Sequence, residues 1–386
     1  MGSKRTKIGV VYRPTEKWIA GAYYVQNILK ALSSCKDELQ PTINVCCNNH
    51  SEFEELKAST KYKYLAYSPL YPERDKYTIL INRILKKFTK YRIYTDGAWG
   101  SLFDKTVFYY PITDFTEIYN IQKAVAWIPD FQEKYYPEFF SQEDLLAREK
   151  GHKELIQKKV PIVFSSHNAE KDFIKFYPEG KDSRTFVLQF SVNHPDFSHE
   201  SIDELKVKYN ITSNYLFCAN QFWIHKNHLT LFKAIKILKD SGKKYQLVCS
   251  GALSEYRNNS YHQTLFNYIK KNHLENEIRI LGFIPRTEQL CLMNNSYAII
   301  HPSLFEGWST VVEDAKKLNK FIFLSDLAVH REQAPINSCF FSPLDENEIA
   351  QKILSVEPSN KAFDYTLCTQ RSCDQFLDII NKIAKK

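Results

Sequence analysis

Thirteen short apolar runs, most of them separated by segments long enough for a helix, constrain this chain more than any other feature. In the first half they are Ile8–Tyr12, Ile43–Cys47, Tyr64–Tyr67, Val107–Tyr110, Ala124–Ile128, Ile162–Ser165 and Phe186–Phe190. In the second half they are Tyr215–Ala219, Gln246–Cys249, Ile278–Leu281, Tyr297–Ile300, Phe321–Leu324 and Cys339–Phe341. Strands joined through helix-length segments imply right-handed crossovers and parallel sheets. The polar stretch Asn193–Ser201, NHPDFSHES, breaks the rhythm and reads as a linker. The expectation is an α/β protein with two doubly wound, Rossmann-like domains, residues 1–192 and 202–368. A final amphipathic helix over about 370–386 is able to pack on either domain, including back onto the first.

Bulk properties narrow the class. The 386 residues suffice for two domains, and 44% hydrophobic with 25% charged residues fits a soluble globular chain. No run approaches the ~18 apolar residues of a membrane span. The N-terminus lacks the apolar core and cleavage site of a secretory signal, and Met1-Gly2 with Thr6 matches an acylation pattern only formally. Nine cysteines, an odd number, show no paired or zinc-type spacing; several, such as Cys218 and Cys249, lie in apolar runs and read as small core residues, so the expected compartment is the reducing cytosol. Residues 1–190 hold 29 Lys/Arg against 23 Asp/Glu, or +6 of the total +8. Their densest stretch is Ile79–Arg92, where Ile81, Ile84, Leu85 and Phe88 share a helical face and Arg83, Lys86, Lys87 and Lys90 lie mostly off it. That pattern suits a helix on an anionic membrane surface, and equally an ordinary solvated amphipathic helix. No nucleic-acid module accompanies these cations.

Ligands of open parallel sheets bind beyond the carboxyl ends of the strands, and two such domains facing each other would form a cleft. Three loops that follow strands carry chemistry. In HPSLFEGWSTVVEDA, His301–Ala315, Glu306 and Asp314 flank a helix entrance. Thr310 with Glu313 fits a capping box, which accounts for Glu313. The free N–H groups at Val311 and Val312 attract a phosphate, while Glu306 and Asp314 accept hydroxyls. Phosphate between hydroxyl-bearing groups is the shape of a nucleotide sugar. In NQFWIHKNH, Asn220–His228, Lys226 stands at a helix entrance and reaches a diphosphate, although an isolated lysine there is more often an ordinary surface residue. Trp223, His225 and His228 read as packing or capping residues. In the loop after the first strand, Gly21 opens a helix and permits close backbone approach.

In this order, KIGVVYRPTEKWIAGAYY, AWIPDFQEKYYPEFF, IVFSSHNAEKDF, FCANQFWIHKNHLTLFKA, RILGFIPRTEQLCLMNNSYAIIHPSLFEGWSTVVEDAKKLNKFIFLSD and VHREQ follow one another along most of the chain. The series resembles the retaining GT-B glycosyltransferases of family 4, the glycosyl transferases of group 1. The resemblance implies a GT-B architecture with an acceptor-side first domain and a donor-binding second domain. It implies transfer of a hexose-type sugar from a nucleotide diphosphate sugar to a glycan or lipid-linked acceptor, as in surface polysaccharide or glycoconjugate synthesis.

The family's two glutamates separated by seven residues fall on Glu306, toward the donor sugar, and on Asp314, one methylene short at the ribose. Lys226 takes the diphosphate lysine's place, and Gln221 stands where the family has an arginine. Gly282, Phe283 and Ile284 match the segment flanking the base, and Gly21 matches the glycine turn of the first domain. Gly307, Ser309, Thr310 and Val311 complete the implied donor site. Where the family often has a first-domain histidine, the nearest polar residue is Asp130, implied to face the acceptor. The implied catalytic set is therefore Glu306, Lys226 and Asp130. No bound metal and no cofactor beyond the nucleotide sugar co-substrate are expected. The protein is expected in the cytoplasm, with a peripheral contact on the cytoplasmic membrane face, and nucleic acid is not expected as a partner. Two rival readings share the fold: a sugar-nucleotide epimerase and a non-catalytic sugar-binding protein.

Overall fold

A computed structural model describes residues 5–14, 19–70, 76–88, 105–113, 123–212, 214–253 and 260–385. The chain divides into two compact units. Unit 1 comprises Met1–Phe131, Glu143–Ser191 and Thr366–Lys386, and unit 2 comprises Gln132–Gln142 and Val192–Tyr365.

Unit 1 contains a seven-stranded parallel sheet. Its strands are β1 (Lys7–Val11), β2 (Thr42–Cys47), β3 (Leu65–Pro69), β4 (Tyr109–Ile112), β5 (Ala124–Ile128), β6 (Ile162–Phe164) and β7 (Thr185–Val187), in the order β3-β2-β1-β4-β5-β6-β7. Its helices are α1 (Ile19–Ser33), α2 (His50–Thr60), α3 (Lys76–Phe88), α5 (Gln142–Gln157) and α6 (His167–Phe176). All five residues of β5, Ala-Val-Ala-Trp-Ile, are buried, as a strand covered on both faces requires.

The C-terminal helix α14 (Thr366–Ala384) belongs to this unit and buries Phe376, Ile379, Ile380 and Ile383. It packs against α1, and Cys35 is joined to Cys373 as a disulfide. That corrects the expectation that no cysteines pair. The two lie 338 residues apart, so only the packing of α14 on α1 brings them together. Helix α3 keeps three of the four residues of the expected face, Ile81, Ile84 and Phe88. Its outward stripe is Tyr77, Leu80, Ile81, Ile84 and Phe88, whereas Leu85 is half-buried. Residues 89–92 of the basic stretch, with Lys90 and Arg92, lie outside the described residues.

Unit 2 contains a six-stranded parallel sheet in the order β10-β9-β8-β11-β12-β13. The strands are β8 (Tyr215–Ala219), β9 (Gln246–Ser250), β10 (Ile278–Ile280), β11 (Ala298–His301), β12 (Ile322–Ser325) and β13 (Ser338–Phe341). The helices are α4 (Gln132–Tyr135), α7 (Ile202–Lys208), α8 (His228–Asp240), α9 (Tyr261–Lys271), α10 (Arg286–Asn295), α11 (Thr310–Lys317), α12 (Ala328–Gln333) and α13 (Glu346–Ser355). Successive strand residues point to opposite faces. Leu216, Cys218, Ile300 and Phe323 therefore pack in one core with α8, α9 and α13. Phe217, Val248, Ile299 and Leu324 face the other core, with α10 and α11. The strand order reverses direction between β8 and β11. In doubly wound sheets a ligand binds at that switch, beyond the strand ends, and the loops leaving β8 and β11 are the two that carry Lys226 and Glu306.

Candidate functional site

Hydrogen bonds join these two loops. Leu304 N donates to His225 O at 2.8 Å, and Asn227 Nδ2 donates to Pro302 O at 3.0 Å. Asn227 takes the left-handed conformation, φ 60°, which ends the short turn Ile224–Lys226 and starts α8. The segment Gln132–Gln142 lies against the same loop, with Tyr136 Oη donating to Leu304 O at 3.4 Å and the Tyr135 and Phe305 rings 5.5 Å apart. Behind them, β8 and β9 end in close contact. Gly251, φ 150°, lies so near the neighbouring backbone that a Cβ there would meet Asn220 O at 2.1 Å. Its N–H donates to Gly282 O at 2.8 Å.

Lys226 Nζ then lies 2.6 Å from Glu306 Oε1, with side chains only 17% and 10% exposed. His301, at the end of β11, places Nε2 3.0 Å from Glu306 Oε1 and 3.0 Å from Ser309 Oγ. Asn220 Nδ2 lies 3.0 Å from His301 Nδ1, on the far side of the ring from the Nε2 that faces Glu306. Burial pushes the Glu306 carboxyl up, but the Lys226 charge and the His301 hydrogen bond outweigh it and hold the acid well below the usual carboxylate range. His330, buried on α12, has its ring tilted against that of His301 at 5.3 Å and anchors Nδ1 on Ser325 O at 2.8 Å. Burial, with His301 beside it, pushes its imidazole down to about 3, so it is neutral. Its buried Nε2 has no hydrogen-bond partner among the described residues.

The helix entrance differs from the capping box that the sequence suggests. Ser309, not Thr310, is the N-cap, and its Oγ accepts from Val312 N at 3.4 Å. Val312 N–H is therefore engaged, and the entrance donors not closed within the helix are those of Thr310 and Val311. Gln333 fixes Ser309 from both sides, accepting from its N–H at 3.1 Å and donating to its C=O at 2.9 Å. Glu313 is no capping residue. It is fully buried, accepting from Tyr365 Oη at 2.7 Å, from Lys316 Nζ at 3.0 Å and from Gln333 Nε2 at 3.1 Å.

Asp314 is buried too. Its Oδ1 pairs with Arg286 on α10 and accepts from His194 Nε2 at 2.9 Å. Burial raises this carboxyl, and Arg286 and His194 more than compensate, leaving it below the ordinary value. The side chain expected at the ribose thus also ties the β7–α7 connection and α10 to α11. Gly307 is buried and Gln221 half-buried at the same end of the sheet. Phe283 is 66% exposed, whereas Ile284 is in the core beside α10 and α11. Gly21, in the first turn of α1, and half-buried Asp130, after β5, belong to unit 1. His301, His330, Gln333, Arg286 and His194 are the contributors that the sequence reading did not assign. His301 opens the loaded loop itself, so its place at the strand end was the available signal. The others arrive from distant segments. Among the described residues no group of three or more His, Cys, Asp or Glu is arranged to hold a metal ion.

The assembly puts one half-buried cation, one ionised acid and a helix entrance at the switch point of a Rossmann-like sheet. Residues 201–364 match the family model for glycosyl transferases group 1. Unit 2 resembles that family. The O-antigen chain mannosyltransferase RfbU of Salmonella typhimurium is 23% identical over 237 residues. That match covers 61% of this chain and 62% of the relative, so it spans less than two thirds of the relative's length. Among solved structures, a glycosyltransferase from Rickettsia africae ESF-5 is similar with a TM-score of 0.63 at 15% identity, covering 99% of both chains. Anabaena Alr3699/HepE, in complex with UDP and glucose, gives 0.60 at 15% identity, covering 98% of this chain and 95% of that one. WaaG, a glycosyltransferase involved in lipopolysaccharide biosynthesis, gives 0.57 at 12% identity, covering 98% of each. The fold is thereby the GT-B architecture, two doubly wound Rossmann-like units.

Proposed function

We propose that the protein is a retaining glycosyltransferase. It moves a hexose-type sugar from a nucleoside diphosphate sugar to a glycan or lipid-linked acceptor, in surface polysaccharide or glycoconjugate synthesis in the cytoplasm. The observation that carries this reading is the convergence of Lys226 and Glu306 at the β8–β11 switch, beside the α11 entrance. Lys226 and the Thr310 and Val311 N–H groups face the diphosphate, and Glu306 accepts hydroxyls of the donor sugar. Asp314 is assigned to the ribose, with Gly282 and Phe283 at the base. In unit 1, Asp130 is assigned to the acceptor.

The anomeric carbon–oxygen bond to the diphosphate breaks and its electron pair leaves with the phosphate. The acceptor oxygen attacks from the same face, and its proton passes to the departing phosphate oxygen. Configuration is retained, and neither a protein base nor a bound metal is required. The protein's contribution is a fixed positive environment for the leaving group and an oriented acceptor.

The test begins with thermal unfolding against a panel of nucleotide sugars. A donor at about 100 times its Kd adds ~2.7 kcal/mol to stability. The stabilising donor is then incubated with candidate acceptors and the products are resolved by NMR. Release of nucleoside diphosphate and a product with the donor's anomeric configuration are expected, and Lys226→Ala should lower turnover by ~10²–10³-fold. An inverted product overturns the retaining mechanism. An isomerised nucleotide sugar without transfer overturns the transferase and fits an epimerase.

A further inference from the structure

Helix α3 does not behave as a helix of a globular surface should. Its sequence, KYTILINRILKKF, has four cations and no acid in thirteen residues. Five large apolar side chains stand in solvent along one stripe: Tyr77 (79% exposed), Leu80 (55%), Ile81 (43%), Ile84 (51%) and Phe88 (81%). Their spacing places them within about a third of the helix circumference. Arg83 and Lys76 are exposed and fall along one flank of that stripe, while Leu85 is half-buried on the opposite flank. A helix packed on its own sheet normally turns its widest apolar face inward. Here the wide face points out, and contiguous exposed apolar surface of that kind marks a site of interaction.

We propose that α3 docks unit 1 on an anionic lipid bilayer. The stripe of Tyr77, Leu80, Ile81, Ile84 and Phe88 enters the headgroup boundary, and Lys76 and Arg83 lie against lipid phosphates. The charge chooses this occupant. A second copy seated on the same stripe would bring two acid-free, four-cation helices together, whereas a bilayer of acidic lipids offers an apolar layer beneath a negative one. A helix of this length is about 20 Å long, too short to span the ~30 Å hydrocarbon core, and no helix among the described residues is long and apolar enough to cross a membrane. It therefore lies in the plane of the surface. The cation-rich sequence also continues, with Lys90 and Arg92 directly after the helix. This inference stands on unit 1 alone, so it holds or fails separately from the reading of Lys226 and Glu306.

Co-sedimentation of the full chain with extruded vesicles tests it. Binding is expected to mixed phosphatidylglycerol–phosphatidylcholine vesicles at about 0.1 M salt and to weaken strongly at ~1 M, where the screening length falls to about 3 Å. Pure phosphatidylcholine should bind at least tenfold less. Arg83→Gln should cut partitioning onto acidic vesicles about fivefold, the effect of one surface cation. The double substitution Leu80→Gln with Ile84→Gln should cut it at least tenfold. Both positions face solvent, so unfolding temperature should hold and report that the fold is intact. Equal binding to neutral and acidic vesicles overturns the proposal, as does unchanged binding by the double variant. A lipid-free dimer that the double variant splits, seen by light scattering, overturns it in favour of self-association.

Discussion

Lys226 and Glu306 form a pair whose contribution can be worked from the structure. The two charges are 2.6 Å apart and mostly withdrawn from water. At an effective dielectric near 20, two charges ~4 Å apart attract by about 4 kcal/mol, and removing one member of a buried pair typically costs ~3–5 kcal/mol. His301 still donates to Glu306 after Lys226 is lost, so Lys226→Ala should fall at the low end, about 3 kcal/mol at neutral pH. The sign with pH follows from the carboxyl. Its folded pKa is depressed, so the stabilisation is full above the unfolded value of ~4.3 and is lost as pH falls through the folded one. In Lys226→Ala the folded pKa rises, so the deficit against wild type is largest at neutral pH and narrows toward pH ~4.3. Adding Glu306→Gln to Lys226→Ala removes the stranded charge and should restore most of the loss. Urea denaturation of wild type, single and double variants at neutral and acid pH measures each step. The reasoning fails if Lys226→Ala is within ~0.5 kcal/mol of wild type at neutral pH, the ordinary range for surface substitutions. It fails too if the double variant is no more stable than the single.

Three further outcomes follow from other contacts. Gly251→Ala should destabilise unit 2 by ~3 kcal/mol or more, because its Cβ would fall 2.1 Å from the Asn220 carbonyl oxygen and neither backbone has room to yield; calorimetry of the variant checks it. The His330 imidazole stays neutral in the fold down to about 3, against 6.5 when free. The unfolded chain therefore binds the extra proton, and stability from this residue, full above pH 6.5, falls by up to ~1.4 kcal/mol per pH unit below it. His330→Gln should flatten the acid limb of the stability profile, and an unaltered limb would contradict the assignment. Thiol titration in denaturant without reductant should count seven free cysteines rather than nine, with Cys35 and Cys373 recovered as one linked peptide pair.

Much of the fold is readable from periodicity alone. Ala124–Ile128 and Tyr215–Ala219 are apolar runs whose limits coincide with β5 and β8, because a strand covered on both faces has no polar position to blur its ends. Most other limits move by a residue or two, and the end of Phe186–Phe190 retreats by three, to Val187. Val107–Tyr110 becomes Tyr109–Ile112, since β4 pairs irregularly with β5 and Pro111 does not break the run as seen in sequence. The cap of α11 shifts from Thr310 to Ser309 for a physical reason. Both residues are competent caps, and the choice is made by Gln333, 24 residues on, which holds the Ser309 backbone at both its N–H and its C=O. No local pattern records that. The Cys35–Cys373 link is hidden in the same way by 338 residues of intervening chain.

The residues of the candidate site illustrate the difference between naming a side chain and knowing its partners. Sequence separates Lys226 and Glu306 by 80 positions and gives them opposite tasks, one for an anion and one for hydroxyls. The fold brings them within a hydrogen bond because β8 and β11 are neighbours at the point where the sheet reverses direction. Each charge then answers the other, so neither is withdrawn from water alone. On the proposed function, a diphosphate reaching Lys226 would replace one anion with another at the same cation. Glu306 would thereby be released to accept hydroxyls, with His301, held by Asn220 and Ser309, still beside its carboxylate. The ion pair and the donor site are on this view one device: the contact that makes Lys226 and Glu306 affordable in the fold is the contact a nucleotide sugar exchanges for its own.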